Sequence, residues 1–190
     1  MQDKFWRNAA LGCATGLALW LHDRSSLTQR IQERCSHFAV HNVYSGLARI
    51  AYEESVLLDI APKRLAYSRE VFLYADKQPV VFAHSVLARE RLCDVWRAVR
   101  VLGNKPLGAF LFAHPLVERN PLHYQSLRST HPLYKRSARV LRDPPRRLCA
   151  RRSLFYLHGA PLLVTEVFLP GILLLPGSVG HDPIPSHVLR

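Results

Sequence analysis

Residues 65–87 read Leu65-Ala66-Tyr67-Ser68-Arg69-Glu70-Val71-Phe72-Leu73-Tyr74-Ala75-Asp76-Lys77-Gln78-Pro79-Val80-Val81-Phe82-Ala83-His84-Ser85-Val86-Leu87. Two runs rich in β-branched and aromatic residues, 67–74 and 80–87, flank the turn-forming residues 76–79, which predicts an antiparallel hairpin. A second hairpin is expected over 153–169, turning at His158-Gly159-Ala160-Pro161. Looser strand patterns fall at 37–44 and within 51–58. Between the hairpins Leu92, Val95, Trp96 and Val99 recur at helical spacing, so a helix is expected over 89–102 with Gly103 just past its end. Pro106 opens a short helix over 107–112, and Ser26 with Gln29 forms a capping box that predicts a helix to Cys35. The apolar stretch 9–21 reads as a buried first helix. Strands grouped in hairpins and interrupted by helices, instead of alternating with them, predict an α+β single domain: an antiparallel β-sheet with flanking helices.

The 190 residues suit one domain, and 48% hydrophobic with 21% charged residues excludes wholesale disorder and fibrous repeats. Lys+Arg 26 against Asp+Glu 14 gives +12 at pH 7 and points to anionic partners: nucleic acid, an acidic membrane surface or a small polyanion. Ten of these cations lie in 114–152 against Glu118 and Asp143, an insertion-like basic stretch within a domain expected over 1–170. From Pro170 on, four Pro and three Gly among 21 residues break any packed element, so 171–190 is expected to be a tail.

Cys13, Cys35, Cys93 and Cys149 form no C-x-x-C and are expected to be reduced thiols of a cytoplasmic protein. No apolar run reaches the ~20 residues that span a bilayer, and no small-x-small site follows the signal-like 9–21, where His22-Asp23-Arg24 stands instead. Ten histidines show no metal-ligand spacing, and neither a P-loop nor G-x-G-x-x-G is present, so no metal or cofactor is expected.

On the two-residue period of a strand, Arg69 shares a face with Leu65, Tyr67, Val71 and Leu73, and Glu166 with Leu162, Val164 and Phe168. An isolated charge on a dry face costs several kcal/mol unless it is matched. Three arrangements satisfy this: the two charges pair, the faces meet solvent, or they line a pocket in which Arg69 grips a carboxylate and Glu166 accepts a hydroxyl proton or hydrogen bond.

The sequence also carries a resemblance. Trp20-Leu21 with Ser26-Leu27-Thr28, Arg69-Glu70-Val71, Leu102-Gly103 with Pro106-Leu107-Gly108 and Leu111-Phe112, Arg151-Arg152-Ser153, and Gly159 with Pro161 to Pro170 follow one another in the order and spacing of the chorismate lyase (4-hydroxybenzoate synthase) family, which this chain resembles. The resemblance implies a cofactor-free, monomeric, cytoplasmic enzyme that converts chorismate to 4-hydroxybenzoate and pyruvate for ubiquinone biosynthesis, in a site closed by helical flaps. It implies Arg69 on the ring carboxylate, Glu166 at the hydroxyl, and the backbone at Leu27 and Leu107 completing the cradle. Where the family usually has Arg, His84 stands here, so His84, or Arg151 or Arg152 in its stead, is expected at the enolpyruvyl carboxylate.

Two other classes remain. A non-catalytic sensor of small aromatic acids would use the same fold, and a regulator of that kind would carry a winged helix ahead of it, for which the N-terminus leaves no space. A nucleic-acid binder would use the basic stretch, but Tyr124 and Tyr134 lack the spacing of a stacking platform, so no nucleic-acid partner is expected.

Overall fold

The computed structural model describes residues 6–10, 12–13 and 15–177. Its seven strands are β1 (Phe38–Arg49), β2 (Leu65–Ala75), β3 (Gln78–Leu87), β4 (Val117–Arg119), β5 (His123–Arg128), β6 (Arg147–Leu157) and β7 (Ala160–Phe168). They form one antiparallel sheet in the order β1-β2-β3-β7-β6, with β4 and β5 both pairing along the outer edge of β6. Both expected hairpins form. Each turns through two consecutive left-handed residues, Asp76 (φ 47) with Lys77 (φ 70) and His158 (φ 48) with Gly159 (φ 74), the backbone that matches the twist of the flanking strands. Pro79 therefore sits inside β3, where the ladder with β2 shifts register between Leu73 and Tyr74.

The helices are α1 (Ala18–Leu21), α2 (Leu27–Gln32), α3 (Tyr52–Leu57), α4 (Arg97–Arg100), α5 (Leu107–Ala113) and α6 (Pro132–Ser137). The strand expected within 51–58 is helix α3: Glu54 reaches back to accept from the Ala51 N–H at 2.9 Å, and Glu54 and Leu58, four apart, turn inward together. The long first helix contracts to a turn at Thr15–Leu17 and α1, which buries Trp20 and Leu21. Ser26 does cap α2, accepting from the Gln29 N–H at 3.3 Å. The Gln29 side chain, however, bonds Glu33 instead of reaching back, and the helix stops at Gln32. The helix expected over 89–102 breaks into a 3-10 turn, Arg89–Leu92, and α4, while Leu92, Trp96 and Val99 stay buried as their spacing requires.

The sheet is covered on both faces. On the front, α1 and α2 pack Leu21, Leu27 and Ile31 against Val71, Leu73 and Phe168, and α5 packs Leu107 and Leu111 against Tyr67, Phe155 and Leu162. On the back, Leu133 and Tyr134 of α6 meet Phe72, Phe82 and Val167, and Leu58 after α3 meets Ala66, Val86 and Leu163. The basic stretch supplies β4, β5, α6 and half of β6. Of the expected tail, the turn Pro170–Leu174 packs against β3 and buries Ile172; residues 178–190 lie outside the described residues.

The thiols differ from expectation. Cys13 and Cys149 are joined by a disulfide, Cα–Cα 5.7 Å, across a sequence separation of 136 that no local spacing reveals; Cys35 and Cys93 are free.

Candidate active site

Alternate residues of four neighbouring strands open a cleft on the front face: Arg69, Val71 and Leu73 of β2, Ala83 and Ser85 of β3, Val164 and Glu166 of β7, and Ser153 and Phe155 of β6. Leu27 and Thr28 of α2 and the Pro106 to Phe112 segment around α5 form its lid, with Arg119 of β4 at the side. The cleft holds ≈ 580 Å³ of empty space, part of it open solvent. Where the two lid helices meet, Gly108 lies so near Thr28 that a Cβ would stand 2.9 Å from its hydroxyl.

Arg69 is buried, and one terminal nitrogen donates to the carbonyls of Gly103 (2.9 Å) and Lys105 (2.8 Å), which fixes the guanidinium under the link before α5. Its Nε–H is buried with no acceptor among the described residues. Burial pushes its pKa below the ordinary arginine value, an effect the nearby Tyr67 opposes. Glu166 does not pair with Arg69: its Oε2 accepts from Nε of Arg151 at 2.6 Å, its partner directly across the β6–β7 ladder. Arg151 is 1% exposed, and its Nη1 donates to the carbonyls of Trp20 (2.8 Å), Leu21 (3.4 Å) and Asp23 (2.6 Å).

Arg119 is the residue that sequence reasoning missed. Its Nη1 donates to the Arg24 carbonyl at 2.8 Å, its guanidinium lies 5.2 Å and 5.4 Å from the Phe155 and Phe112 ring centres, and its Nε–H is also buried without an acceptor among the described residues. Burial lowers its pKa, and the charge of Glu166 works the other way. β4 is three residues long and carries no pattern that marks Arg119 out from the nine other cations of the basic stretch.

Leu27, Leu107, Arg69 and Glu166 all line the cleft; His84 and Arg152 do not. With Ala83 and Ser85 facing the cleft, strand alternation turns His84 to the back, and with Arg151 and Ser153 facing forward it turns Arg152 away likewise. His84 is held there by Glu54 (Nε2 to Oε1, 3.1 Å) and Glu70 (Nδ1 to Oε1, 3.2 Å), while Arg136 of α6 pairs with the same Glu70 oxygen. Arg152 lies over the Trp6 ring at 4.3 Å. Glu70, next to Arg69 on β2 and so on the opposite face, belongs to this back network. Among the described residues no cluster of His, Cys, Asp and Glu is arranged to hold a metal ion.

Against this geometry, the family model described as chorismate lyase matches residues 2–174. The chain belongs to the chorismate lyase family. Curated relatives named "Probable chorismate pyruvate-lyase" are 48% identical in Nitrosospira multiformis, over 88% of this chain and 94% of the relative, and 47% identical in Aromatoleum aromaticum, over 83% and 86%. Among solved structures, the C-terminal domain of PhnF aligns with TM-score 0.56 at 14% identity, over 77% of this chain and 92% of that one. The C-terminal domain of the histidine utilization repressor from Pseudomonas syringae pv. tomato aligns with TM-score 0.53 at 8% identity, over 71% and 93%. At such identities the likeness establishes the chorismate lyase-like fold alone, an antiparallel sheet with flanking helices. No helix among the described residues is long and apolar enough to cross a membrane.

Proposed function

We propose that this chain is a carbon–oxygen lyase that converts chorismate to 4-hydroxybenzoate and pyruvate, as a cytoplasmic monomer at the start of ubiquinone biosynthesis. The observation that carries the reading is the charge pattern of the cleft: two guanidinium groups, Arg69 and Arg119, each with a buried unpartnered Nε–H, flank one carboxylate, Glu166. Chorismate is a dianion with a hydroxyl, and these groups complement it one for one.

Strand β3 separates β2 from β7, and Arg69 pairs with Ser85 while Glu166 pairs with Ala83, so the two start two ladder spacings across and two residues along, roughly 12 Å apart. A six-membered ring with a carboxylate at one end and a hydroxyl at the other, with a hydrogen bond at each, fills that span. Arg69 takes the ring carboxylate, joined by the N–H groups of Leu27 and Leu107, which open their helices and have no intrahelical acceptor. Glu166 accepts from the ring hydroxyl. Arg119, in place of His84 or Arg152, neutralises the enolpyruvyl carboxylate.

The ring carbon that bears the hydroxyl loses its hydrogen as a proton, and that electron pair forms the last double bond of the aromatic ring. The neighbouring ether C–O bond breaks with its pair, and the departing enolpyruvate takes up a proton to become pyruvate. The reaction is redox-neutral and its atoms balance without a cofactor. Aromatisation supplies the driving force, so the protein has to orient the substrate, balance its charge and exclude water.

Purified protein incubated with chorismate, without added metal or nucleotide, is expected to release 4-hydroxybenzoate and pyruvate in equal amounts, read by chromatography. Tight binding of 4-hydroxybenzoate with no turnover would overturn the lyase reading in favour of a non-catalytic sensor of the same fold.

A further inference from the structure

We propose that Arg151 is a positioning residue that ties lid helix α2 to the carboxylate of Glu166, so that closing the lid and orienting Glu166 are a single event. The role given to Glu166 rests on the lyase reading; the tie to the lid rests on geometry alone. One edge of the guanidinium, Nε, donates to Glu166 Oε2 at 2.6 Å. The other, Nη1, donates to the carbonyls of Trp20, Leu21 and Asp23. Trp20 and Leu21 end α1, where carbonyls have no intrahelical donor, and Asp23 begins the link that runs through the Ser26 cap into α2. Two residues of that helix, Leu27 and Thr28, wall the cleft.

A planar fork can satisfy acceptors on two sides only while its plane is fixed, so the carbonyls of the link set the angle at which Nε meets Glu166. Burial strengthens the tie. At 1% exposure the cation depends on the charge of Glu166 and on the carbonyl oxygens, and losing either leaves it poorly compensated in a dry environment. When the link moves away to admit a ligand, Arg151 loses its register on Glu166. When it returns, Oε2 is occupied and Oε1 is left to the substrate hydroxyl.

Hydrogen exchange of the ligand-free full chain tests the tie. In Arg151→Lys, whose point-like ammonium cannot serve both sides, and in Glu166→Ala, amides of residues 24–33 are expected to exchange at least about tenfold faster than in the wild type, while those of 107–113 keep their rates. The single-turnover rate on chorismate is expected to fall about tenfold in Arg151→Lys. Wild-type exchange at 24–33 in either variant, an equal rise at 107–113, or an Arg151→Lys turnover rate within about twofold of wild type would overturn the proposal. Should Arg151→Lys fail to fold, Glu166→Ala decides the matter, because its substituted side chain is partly exposed. A wild-type chain that does not turn over chorismate sinks the lyase reading instead, and the exchange rates still decide whether Arg151 ties the lid.

Discussion

Arg69 and Arg119 each hold a buried Nε–H that meets no acceptor among the described residues, and such a donor costs about 1–3 kcal/mol until something accepts from it. On the reading proposed above, a substrate carboxylate would restore that bond with charge assistance, about 1.5–3 kcal/mol per contact. Arg69→Ala and Arg119→Ala are therefore each expected to raise KM for chorismate about 10- to 100-fold in steady-state assays. Glu166 plays a different part. Glu166→Gln keeps the shape and one acceptor oxygen but removes the charge, so kcat is expected to fall more than KM rises; full turnover in this variant would show that Glu166 moves no proton. The two arginines were not equally legible in the sequence. Arg69 stands out as a lone charge on an apolar strand face, whereas Arg119 sits among polar neighbours on a three-residue strand.

At the scale of the element, the lid is two short helices in close contact. α2 has six residues and α5 seven, too short to persist without packing, so their positions are set by Leu27, Ile31, Leu107 and Leu111 pressed on the sheet. Their closest approach is at Gly108. In Gly108→Ala the new methyl would stand 2.9 Å from Thr28 Oγ1, nearer than contact allows, so the buried Thr28 side chain or one of the helices has to give way. Faster dissociation of 4-hydroxybenzoate, measured by stopped-flow fluorescence, is the expected outcome, with little change in thermal midpoint. The same scale explains the misread segment 51–58. Its residues fit a strand pattern over a few positions, but the turn closed by Glu54 on Ala51 outweighs that pattern.

Over the whole molecule, the back of the sheet is joined to its helices by charge. Burial, the largest influence on His84, favours loss of its proton, but hydrogen bonds to Glu54 and Glu70 outweigh it and raise the pKa above the ordinary 6.5. Glu54 and Glu70 are likewise opposed by burial, yet their bonds to His84 hold them below the ordinary 4.5. A raised histidine contributes stability that is complete below its unfolded value and is lost as pH rises through its folded one; the lowered carboxylates contribute above their unfolded value and lose it as pH falls through theirs. Stability is thus expected to decline on both sides of a plateau between about pH 4.5 and 6.5. In urea denaturation across pH, His84→Gln is expected to lose the alkaline decline. The disulfide acts at the same scale. Cys13–Cys149 closes a separation of 136 residues, so its reduction, or Cys13→Ser, is expected to lower stability by about 2–5 kcal/mol, visible as a lower thermal midpoint.

The sequence by itself determined the two hairpins, their turns, the capped start of α2 and the placing of Arg69 and of Glu166 each on the apolar face of its own strand, because strand alternation and turn chemistry are local properties of the chain. It also determined the family, through motifs kept in order from residue 20 to 170. The same alternation, applied to residues 83–85 and 151–153, already turns His84 and Arg152 to the back of the sheet once Ala83, Ser85 and Ser153 are known to face the cleft. Only the tertiary structure decided which side of β3 that was, that Arg151 and not Arg69 balances Glu166, that Arg119 enters the cleft, and that Cys13 meets Cys149. Each of these depends on strand neighbours far apart in sequence, as when β6 and β7 set Arg151 opposite Glu166 or β4 lies along the edge of β6. Pairing between distant segments is settled by packing of the whole sheet and leaves no trace in a window of a few residues.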